Sequence, residues 1–427
     1  MQKPKILMLG WEFPPAISGG LGVACYGLCK ALSRECDIHL ILPRVDPEIV
    51  LPGVNIIDLS TLEIKEYFTK KELLSLTKVI KEEKVNLNIS PYPSSAEKII
   101  SERTIHVEKE LSIDIPQIKK GLREDDLYGL NTYEKIVYYS DIVIKVAEQI
   151  EFDVIHAHDW ITFQAGIKLK EKFQKPLIIH IHSLNYDRLG PEEKGKVYEI
   201  ERNAMRLADR IIAVSNYTAS IIVDHYKIKR NKIVVVHNGI DPVKPFKTGK
   251  NFPGKLVLFM GRITLQKGPE YFLETAYKVL QKYSNVRFAI AGTGDKLKQM
   301  LEYGNFSEVG NKLHYTGFLE RQEVHSLLSM TDVYCMPSLS EPFGLTAVEA
   351  VQFGIPVVIT NRSGAAEVLS SALTADFWDT EKMSEMIVKL LTNENYYDSV
   401  VRRGQKDLKK ITWSKSAQLV VSLYREL

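Results

Sequence analysis

The sequence predicts an α/β protein made of two doubly wound, Rossmann-like domains that face each other across a cleft. Short apolar strands alternate with helical segments along most of the chain. The alternation begins anew after residues 242–254, and both halves open with a strand followed by a glycine-containing loop. With 427 residues, 45% of them hydrophobic, the chain can bury two cores.

Composition excludes several classes of protein. The formal net charge is only +3, which argues against a basic surface for nucleic acid. The four cysteines lack the paired CxxC spacing of a zinc site, so we expect reduced, buried thiols and a cytoplasmic protein. The apolar run before Trp11 is too short for a secretion signal, and no apolar run is long enough to span a bilayer.

The first predicted domain, residues 1–241, begins with a strand at residues 6–9 and a helix from about residue 23 to 33. The loop between them contains Gly19 and Gly20. Adjacent glycines let the backbone approach a ligand closely. We therefore expect both glycines to contact a ligand at the carboxyl end of the first strand.

The rest of this domain continues the alternation after an interruption. Residues 61–126 are dense in lysine and glutamate, which predicts a surface excursion with exposed helices. A helix is expected at residues 133–151, followed by buried strands at residues 152–155 and 177–181. Polar residues follow both of these strands.

Histidines at those strand ends predict a polar pocket. His156 and His158 are two residues apart, as are His180 and His182, so each pair lies on one face of its strand. A zinc site could use the same spacing. We expect no metal, because the motifs of the second domain, described below, indicate a ligand with phosphate and sugar groups. We favour a hydrogen-bonded structural role for His156 and His180.

The second predicted domain, residues 255–410, follows the proline- and lysine-rich linker at residues 242–254. Arg262 and Lys267 lie on the loop after its first strand, where a guanidinium fork and an ammonium can together hold a diphosphate. Gly292 follows the next strand and is a further backbone-approach position. The chain contains no Asp-x-Asp sequence for a nucleotide-bound metal.

The most informative stretch is residues 336–360, which predicts a strand end, a glycine-containing loop, a helix and a second strand. Backbone N–H groups at Gly344 and Leu345 favour an anion at the helix start. Glu341 precedes the helix and Glu349 lies inside it. These groups suit a ligand that carries phosphate together with hydroxyls that donate to carboxylates, as a nucleotide-sugar does. The alternative is that Glu341 only caps the helix and Glu349 is solvated.

The last segment, residues 411–427, has an apolar helical face. We expect this helix to pack back on the first domain. The residues on that face are Trp413, Ala417, Val420, Val421 and Tyr424.

Together these motifs resemble those of the retaining GT-B glycosyltransferases of the glycogen and starch synthase-like type (glycosyltransferase families 4 and 5). The resemblance covers nearly the whole chain except residues 61–126. It depends on Gly19-Gly20-Leu21, His156-Ala157-His158-Asp159-Trp160, His182, Gly261-Arg262, Lys267-Gly268, Glu341-Pro342-Phe343-Gly344-Leu345 and Glu349.

The resemblance implies roles for individual residues. Arg262 and Lys267 would contact the diphosphate of the donor, Glu341 the donor sugar and Glu349 the ribose. His182 would lie near the sugar's 6-hydroxyl. Asp159 would support the cleft, with His158 beside it and Gly20 near the phosphate or sugar.

The implied activity is transfer of glucose, with retention, from ADP- or UDP-glucose to an α-1,4-glucan, without a metal or a cofactor. Transfer to a sugar phosphate, a lipid or a polysaccharide is the alternative. Three departures from the ADP-glucose-using glycogen synthases favour that broader branch: Ile17-Ser18 stands before Gly19-Gly20 where those enzymes have Lys-Thr, Phe343 replaces a cysteine, and Glu349 replaces a non-acidic residue.

Four other kinds of protein compete with a glycosyltransferase. A GT-B epimerase lacks the His-Ala-His-Asp-Trp motif, and a phosphorylase needs a lysine-linked cofactor pocket that the sequence does not indicate. A nicotinamide oxidoreductase needs a GxGxxG motif after a strand, which is missing here. A non-catalytic sugar-binding protein would not need both carboxylates and both cations.

Overall fold

The protein forms two parallel β-sheets, each covered by helices on both faces. A computed structural model describes residues 3–14, 19–62, 132–246, 249–250, 252–305 and 308–427. From residue 63 onwards, the charged excursion predicted at residues 61–126 lies outside the described residues.

Within the described residues, the first sheet has seven parallel strands in the order β3-β2-β1-β4-β5-β6-β7. Because the strand order reverses between β1 and β4, their carboxyl ends form the crevice where such sheets bind ligands. The strands are β1 (Lys5–Leu9), β2 (Asp37–Leu42), β3 (Val54–Asp58), β4 (Val154–His158), β5 (Leu177–Ile181), β6 (Arg210–Ala213) and β7 (Ile233–Val235).

Six described helices accompany this sheet. They are α1 (Gly20–Leu32), α2 (Thr132–Ala147), α3 (Asp159–Phe173), α4 (Asn185–Leu189), α5 (Lys196–Leu207) and α6 (Asn216–Asp224). Helix α1 begins three residues earlier than the sequence predicts, because Gly19 is the extended N-cap residue. Strand β3 was not predicted, since at the edge of the sheet its side chains are only partly buried and show no clear alternation.

The second sheet repeats this topology with six parallel strands in the order β10-β9-β8-β11-β12-β13. Its reversal lies between β8 and β11. The strands are β8 (Lys255–Met260), β9 (Val286–Ala291), β10 (Leu313–Gly317), β11 (Val333–Met336), β12 (Val357–Thr360) and β13 (Leu373–Ala375).

The helices that follow are α7 (Pro269–Lys282), α8 (Leu297–Asn305), α9 (Arg321–Met330), α10 (Leu345–Gln352), α11 (Thr380–Thr392), α12 (Glu394–Leu408) and α13 (Trp413–Glu426). Proline occupies the first turn of α7, where its missing N–H costs nothing. The central strands β4, β5, β11 and β12 are fully buried. Burial on both faces explains their continuous apolar sequences.

The C-terminal helix α13 packs against α1 of the first domain. Trp413, Val420 and Tyr424 share a hydrophobic core with Leu28 and Cys29. Gly27 makes this approach possible, because a Cβ at that position would overlap the Trp413 ring. The chain therefore returns to its first domain after it completes the second.

Two sequence-based expectations concern cysteines and membranes. All four cysteines are buried and free of disulfides, as predicted. Among the described helices, none combines the length and apolar character needed to cross a bilayer.

Candidate active site in the cleft between the domains

A cleft lies between the carboxyl edges of the two sheets, and both domains contribute to its walls. Most of the predicted site residues come together there. They are Gly19, Gly20, Asp159 and His182 from the first domain, and Arg262, Lys267, Glu341, Gly344 and Leu345 from the second.

The cationic side of the cleft follows β8. Arg262 lines the cleft, and a 3-10 turn, Leu265–Lys267, places Lys267 beside it. The turn ends at Gly268, whose φ of +66° and close approach to the Pro337 carbonyl require glycine. Lys267 donates a hydrogen bond from Nζ to Oε2 of Glu341. These two side chains, 74 residues apart in sequence, therefore neutralise each other in the cleft.

The amino-terminal end of α10 opens into the same cleft. Gly344, in the left-handed region at φ +98°, is the N-cap residue and provides no side-chain cap. Its neighbours Leu345 and Thr346 line the cleft as well. The positive end of the helix dipole and the first-turn N–H groups favour a negatively charged ligand group here.

On the first domain, Asp159 lies at a strained corner between β4 and α3. Its φ of +58° is unusual for a non-glycine residue. The carboxylate accepts hydrogen bonds from the backbone N–H groups of His182 at 2.7 Å and Ser183 at 3.4 Å. Burial raises the pKa of Asp159 to about 7, although these hydrogen bonds oppose the shift. Through its hydrogen bonds to His182 and Ser183, Asp159 links the ends of β4 and β5.

The four histidines lie on one face of β4 and β5 as a stack of imidazole rings. Successive rings are tilted by only 13° to 29°. His158 Nδ1 lies 2.9 Å from His182 Nε2, and His156 Nδ1 lies 2.5 Å from the Tyr424 hydroxyl. Burial lowers the pKa of each ring, that of His158 to about 3, so all four are neutral at pH 7.

The geometry of this stack bears on metal binding. Nitrogens of His156, His158 and His180 lie within 4.8 Å of one another. A metal ligand's lone pair lies in the plane of its ring, so stacked, nearly parallel rings do not converge on one ion. The arrangement favours a packed structural stack, with His156 hydrogen-bonded as predicted. Among the described residues, neither ring nitrogen of His180 has a hydrogen-bond partner, contrary to the hydrogen-bonded role predicted for it.

Three predicted site residues are not among those that line the cleft. His158 is fully buried in the stack. Gly292, at φ +134°, allows the Gly261 carbonyl to pack against it, which is a structural reason for glycine. Glu349 is partly buried in α10, and burial raises its pKa to about 7 against the opposing effect of Arg321.

Other residues that line the cleft were not predicted, including Glu12, Arg188, Asn238 and Gln266. Arg188 forms a buried ion pair with Glu201 at 2.8 Å. Glu201 also accepts hydrogen bonds from the Asn185 N–H at 2.9 Å and the Tyr226 hydroxyl at 2.5 Å. Helix α4, which carries Arg188, has only five residues, so it shows no periodic signal in the sequence.

The fold and the cleft define a class of protein with two Rossmann-like domains and a shared cleft lined by cations, carboxylates and a helix amino terminus. Residues 241–407 match the family model described as glycosyl transferases group 1, and residues 123–244 match the model of glycosyltransferase family 4. The chain belongs to these group 1, GT-B glycosyltransferases, and it is therefore a transferase.

Relatives match along nearly the full chain. An uncharacterized glycosyltransferase of Methanocaldococcus jannaschii is 25% identical, over 99% of this chain and 98% of the relative. Glycogen synthase of Mycobacterium tuberculosis is 24% identical, over 87% of this chain and 81% of the relative. The catalytic domain of Arabidopsis thaliana starch synthase IV, bound to ADP and acarbose, aligns over 100% of this chain and 99% of that domain, with a TM-score of 0.69 and 14% identity.

Proposed function

We propose that this protein is a retaining glycosyltransferase that moves glucose from ADP- or UDP-glucose to an α-1,4-glucan. One observation carries the proposal. Two cations, a helix amino terminus and a carboxylate from the second domain meet Asp159 and His182 of the first domain in a single cleft. That combination suits a diphosphate joined to a sugar.

On the donor side, Arg262 and Lys267 bind the diphosphate together with the N–H groups at Gly344 and Leu345. Glu341 accepts hydrogen bonds from the sugar hydroxyls. Because Lys267 and Glu341 pair with each other, a donor has to replace this ion pair with contacts to both groups. Glu349 in the same helix binds the ribose, and Gly292 shapes the loop beneath the nucleotide.

On the acceptor side, His182 contacts the transferred sugar near its 6-hydroxyl. Asp159 holds the backbone of His182 in place through the 2.7 Å hydrogen bond. His158 supports the His182 ring from behind. A Cβ on Gly20 would lie 3.6 Å from Leu345 Cδ1 of the second domain, and a Cβ on Gly19 would meet no atom of the described residues within 4 Å.

The chemistry we infer breaks the bond between the anomeric carbon and the diphosphate oxygen. A bond forms on the same face to the acceptor hydroxyl, whose proton passes to the departing phosphate. The negative charge that develops on the diphosphate is met by Arg262, Lys267 and the amino terminus of α10. The proposed reaction needs neither a metal nor a cofactor, because these groups supply the positive charge.

The glucan acceptor is supported by the His-Ala-His-Asp-Trp motif and by the relative named glycogen synthase. A second acceptor class is favoured by Phe343 and Glu349, which differ from the residues of ADP-glucose-using glycogen synthases. That class consists of sugar phosphates, lipids and polysaccharides.

We place the reaction in the cytoplasm. We divide the chain into the acceptor domain 1–241, the linker 242–254, the donor domain 255–410 and the returning helix 411–427.

The test is a screen of donors against acceptors. ADP-, UDP- and GDP-glucose are first compared by thermal shift, since a ligand that binds only the folded state raises the melting temperature. The stabilising donor is then incubated with glycogen, a hexose phosphate or a lipid acceptor, and nucleotide release is measured. Glucose incorporation into glycogen is expected. Transfer only to another acceptor would overturn the glucan assignment. The absence of nucleotide release with every acceptor would overturn the proposal that this protein catalyses the transfer.

A further inference from the structure

The hydroxyl group of one serine joins the first domain to the loop that carries Glu341. We propose that Asp187 and Tyr217 are positioning residues for the transfer reaction. They bind Ser340 and so hold Glu341 and Lys267 opposite the first domain. This inference rests on the function proposed above, because it assigns a role within that same site.

The contact between the domains is short and buried. Ser340 Oγ donates to Asp187 Oδ1 at 2.5 Å and lies 2.9 Å from the Tyr217 hydroxyl oxygen. Ser340 and Asp187 are only 4% and 3% exposed. A serine hydroxyl has one proton and two lone pairs, so Ser340 donates to the carboxylate while it accepts from Tyr217. Both hydrogen bonds cross between the domains.

Asp187 is held in the orientation that this contact requires. Its second oxygen, Oδ2, accepts the N–H of Leu184 at 2.7 Å and so caps the start of α4. One carboxylate oxygen therefore fixes the side chain to its own domain, and the other reaches the second domain. A side chain fixed in this way positions its partner better than a freely rotating one.

On the other side, Ser340 is connected to both members of the ion pair in the cleft. Its carbonyl accepts from Gln266 Nε2 at 3.1 Å, and the N–H of Leu339 donates to the Gln266 carbonyl at 2.9 Å. Gln266 lies in the same 3-10 turn as Lys267, and Ser340 immediately precedes Glu341. A displacement of Ser340 is therefore transmitted to both Lys267 and Glu341.

The test uses Ser340→Ala with a matched control. In the control, Ser370→Ala, the lost hydroxyl donates to Asp407 Oδ1 at 2.7 Å, while Asp407 Oδ2 accepts the Ser371 N–H at 2.9 Å. As at Ser340 and Asp187, a serine hydroxyl donates to a carboxylate whose other oxygen accepts a backbone N–H, but Ser370 is exposed and this contact lies entirely within the second domain. Removal of the charge-assisted bond at Ser340 is expected to lower kcat by about tenfold. Ser370→Ala is expected to keep the wild-type kcat.

A double-mutant cycle separates positioning from general destabilisation. Tyr217→Phe removes the other hydrogen bond to Ser340 and serves also if Ser340→Ala does not fold. The losses in kcat of Ser340→Ala and Tyr217→Phe should fail to multiply in the double variant, because both act on one hydroxyl. Losses that multiply, or an equal kcat for Ser340→Ala and Ser370→Ala, would overturn the inference.

A structural readout keeps this inference separate from the proposed function. Small-angle X-ray scattering of the full chain should give a larger radius of gyration for Ser340→Ala than for the wild type and Ser370→Ala, because the domains separate. Should the wild type transfer no sugar, the proposed function fails, and scattering alone decides the contact. Equal radii for all three proteins would then refute the link between the domains.

Discussion

At the scale of single residues, the cleft combines charges that compensate one another before a ligand arrives. Lys267 and Glu341 are 16% and 9% exposed at their side chains and form an ion pair. A partly desolvated pair of this kind adds little net stability, because the cost of removing both charges from water offsets their attraction. The two charges are therefore better explained by ligand binding than by stabilisation of the fold.

We expect Glu341→Gln and Lys267→Ala to reduce turnover by roughly 10²–10³-fold, the loss typical for one group that stabilises charge in a transition state. Nucleotide release under saturating donor measures the effect. Lys282→Ala is the control. Lys282 Nζ lies 2.5 Å from Glu381 Oε1, and this ion pair is outside the cleft. Turnover near the wild-type value in either cleft variant would contradict the assignment.

Asp159→Asn should change how stability depends on pH. Burial raises the pKa of Asp159 from 3.8 to about 7 in the folded protein. The folded state then binds the extra proton, so this group's contribution to stability falls as the pH rises through that window. Asparagine has no such proton and tolerates the positive φ.

Denaturant unfolding at pH 5 and pH 8 measures this effect. The stability of Asp159→Asn relative to wild type should increase between the two pH values. Asp141→Asn is the control, since Asp141 is partly exposed and pairs with Lys168 at 2.7 Å. A relative stability of Asp159→Asn that is the same at both pH values would refute the buried, proton-binding state of Asp159.

At the scale of elements, loops at the carboxyl ends of parallel strands carry the site, and glycines set their geometry. Gly268 and Gly344 both have positive φ angles and both begin helices. Helix α13 is the element that crosses between domains, and its packing depends on the missing side chain of Gly27.

Gly27→Ala tests the packing of α13 on α1. Alanine favours a helix by about 1 kcal/mol relative to glycine, but its Cβ would overlap the buried Trp413 ring. Overpacking of this kind costs roughly 1–3 kcal/mol, so we expect net destabilisation, measured as a lower denaturant midpoint. Gly249→Ala adds a Cβ that meets no atom of the described residues within 4 Å, so this variant should unfold like the wild type. Equal midpoints for both variants would refute the contact.

At the scale of the whole molecule, the second domain caps a helix of the first. The Glu367 carboxylate accepts the N–H groups of Asn216 at 2.9 Å and Tyr217 at 2.8 Å, at the amino terminus of α6. It also lies 2.7 Å from His237 Nε2. A negative charge at a helix amino terminus is stabilising. This carboxylate therefore joins the second domain to helix α6 and to His237 of the first domain.

Glu367→Gln should weaken this junction by roughly 1.5–3 kcal/mol, since a charged acceptor of several hydrogen bonds is lost. Burial raises the pKa of Glu367, but hydrogen bonds from His237, Asn216 and Tyr217 outweigh it and lower the pKa below 4.5. The stabilisation is therefore present above that pH and is lost as the pH falls through the folded-state pKa.

Thermal unfolding of Glu367→Gln and the wild type should therefore differ at pH 7 and converge in acid. Glu381→Gln serves as the control, because Glu381 pairs with Lys278 and Lys282 within the second domain. A Glu367→Gln variant that unfolds like the wild type at pH 7 would contradict the proposed junction.

Much of the fold could be predicted from the sequence, and most of the predicted site residues line one cleft. The strand predicted at residues 177–181 has the bounds observed for β5, because a buried parallel strand is a continuous apolar run. Arg262, Lys267 and Glu341 were predicted as a group, because loops that follow parallel strands meet at one edge of a sheet. The short α4 and the edge strand β3 lack such patterns, so Arg188 and β3 were missed.

The sequence by itself determined the two-domain architecture and the chemistry of the loops, since hydrophobic periodicity and glycine positions are local properties. Only the tertiary structure decided which groups meet. The pairing of Lys267 with Glu341 joins residues 74 apart, and the contact of Ser340 with Asp187 joins residues 153 apart. That His158, Gly292 and Glu349 do not line the cleft is likewise a result of packing. Such contacts depend on how complete sheets and domains pack, which no local pattern records.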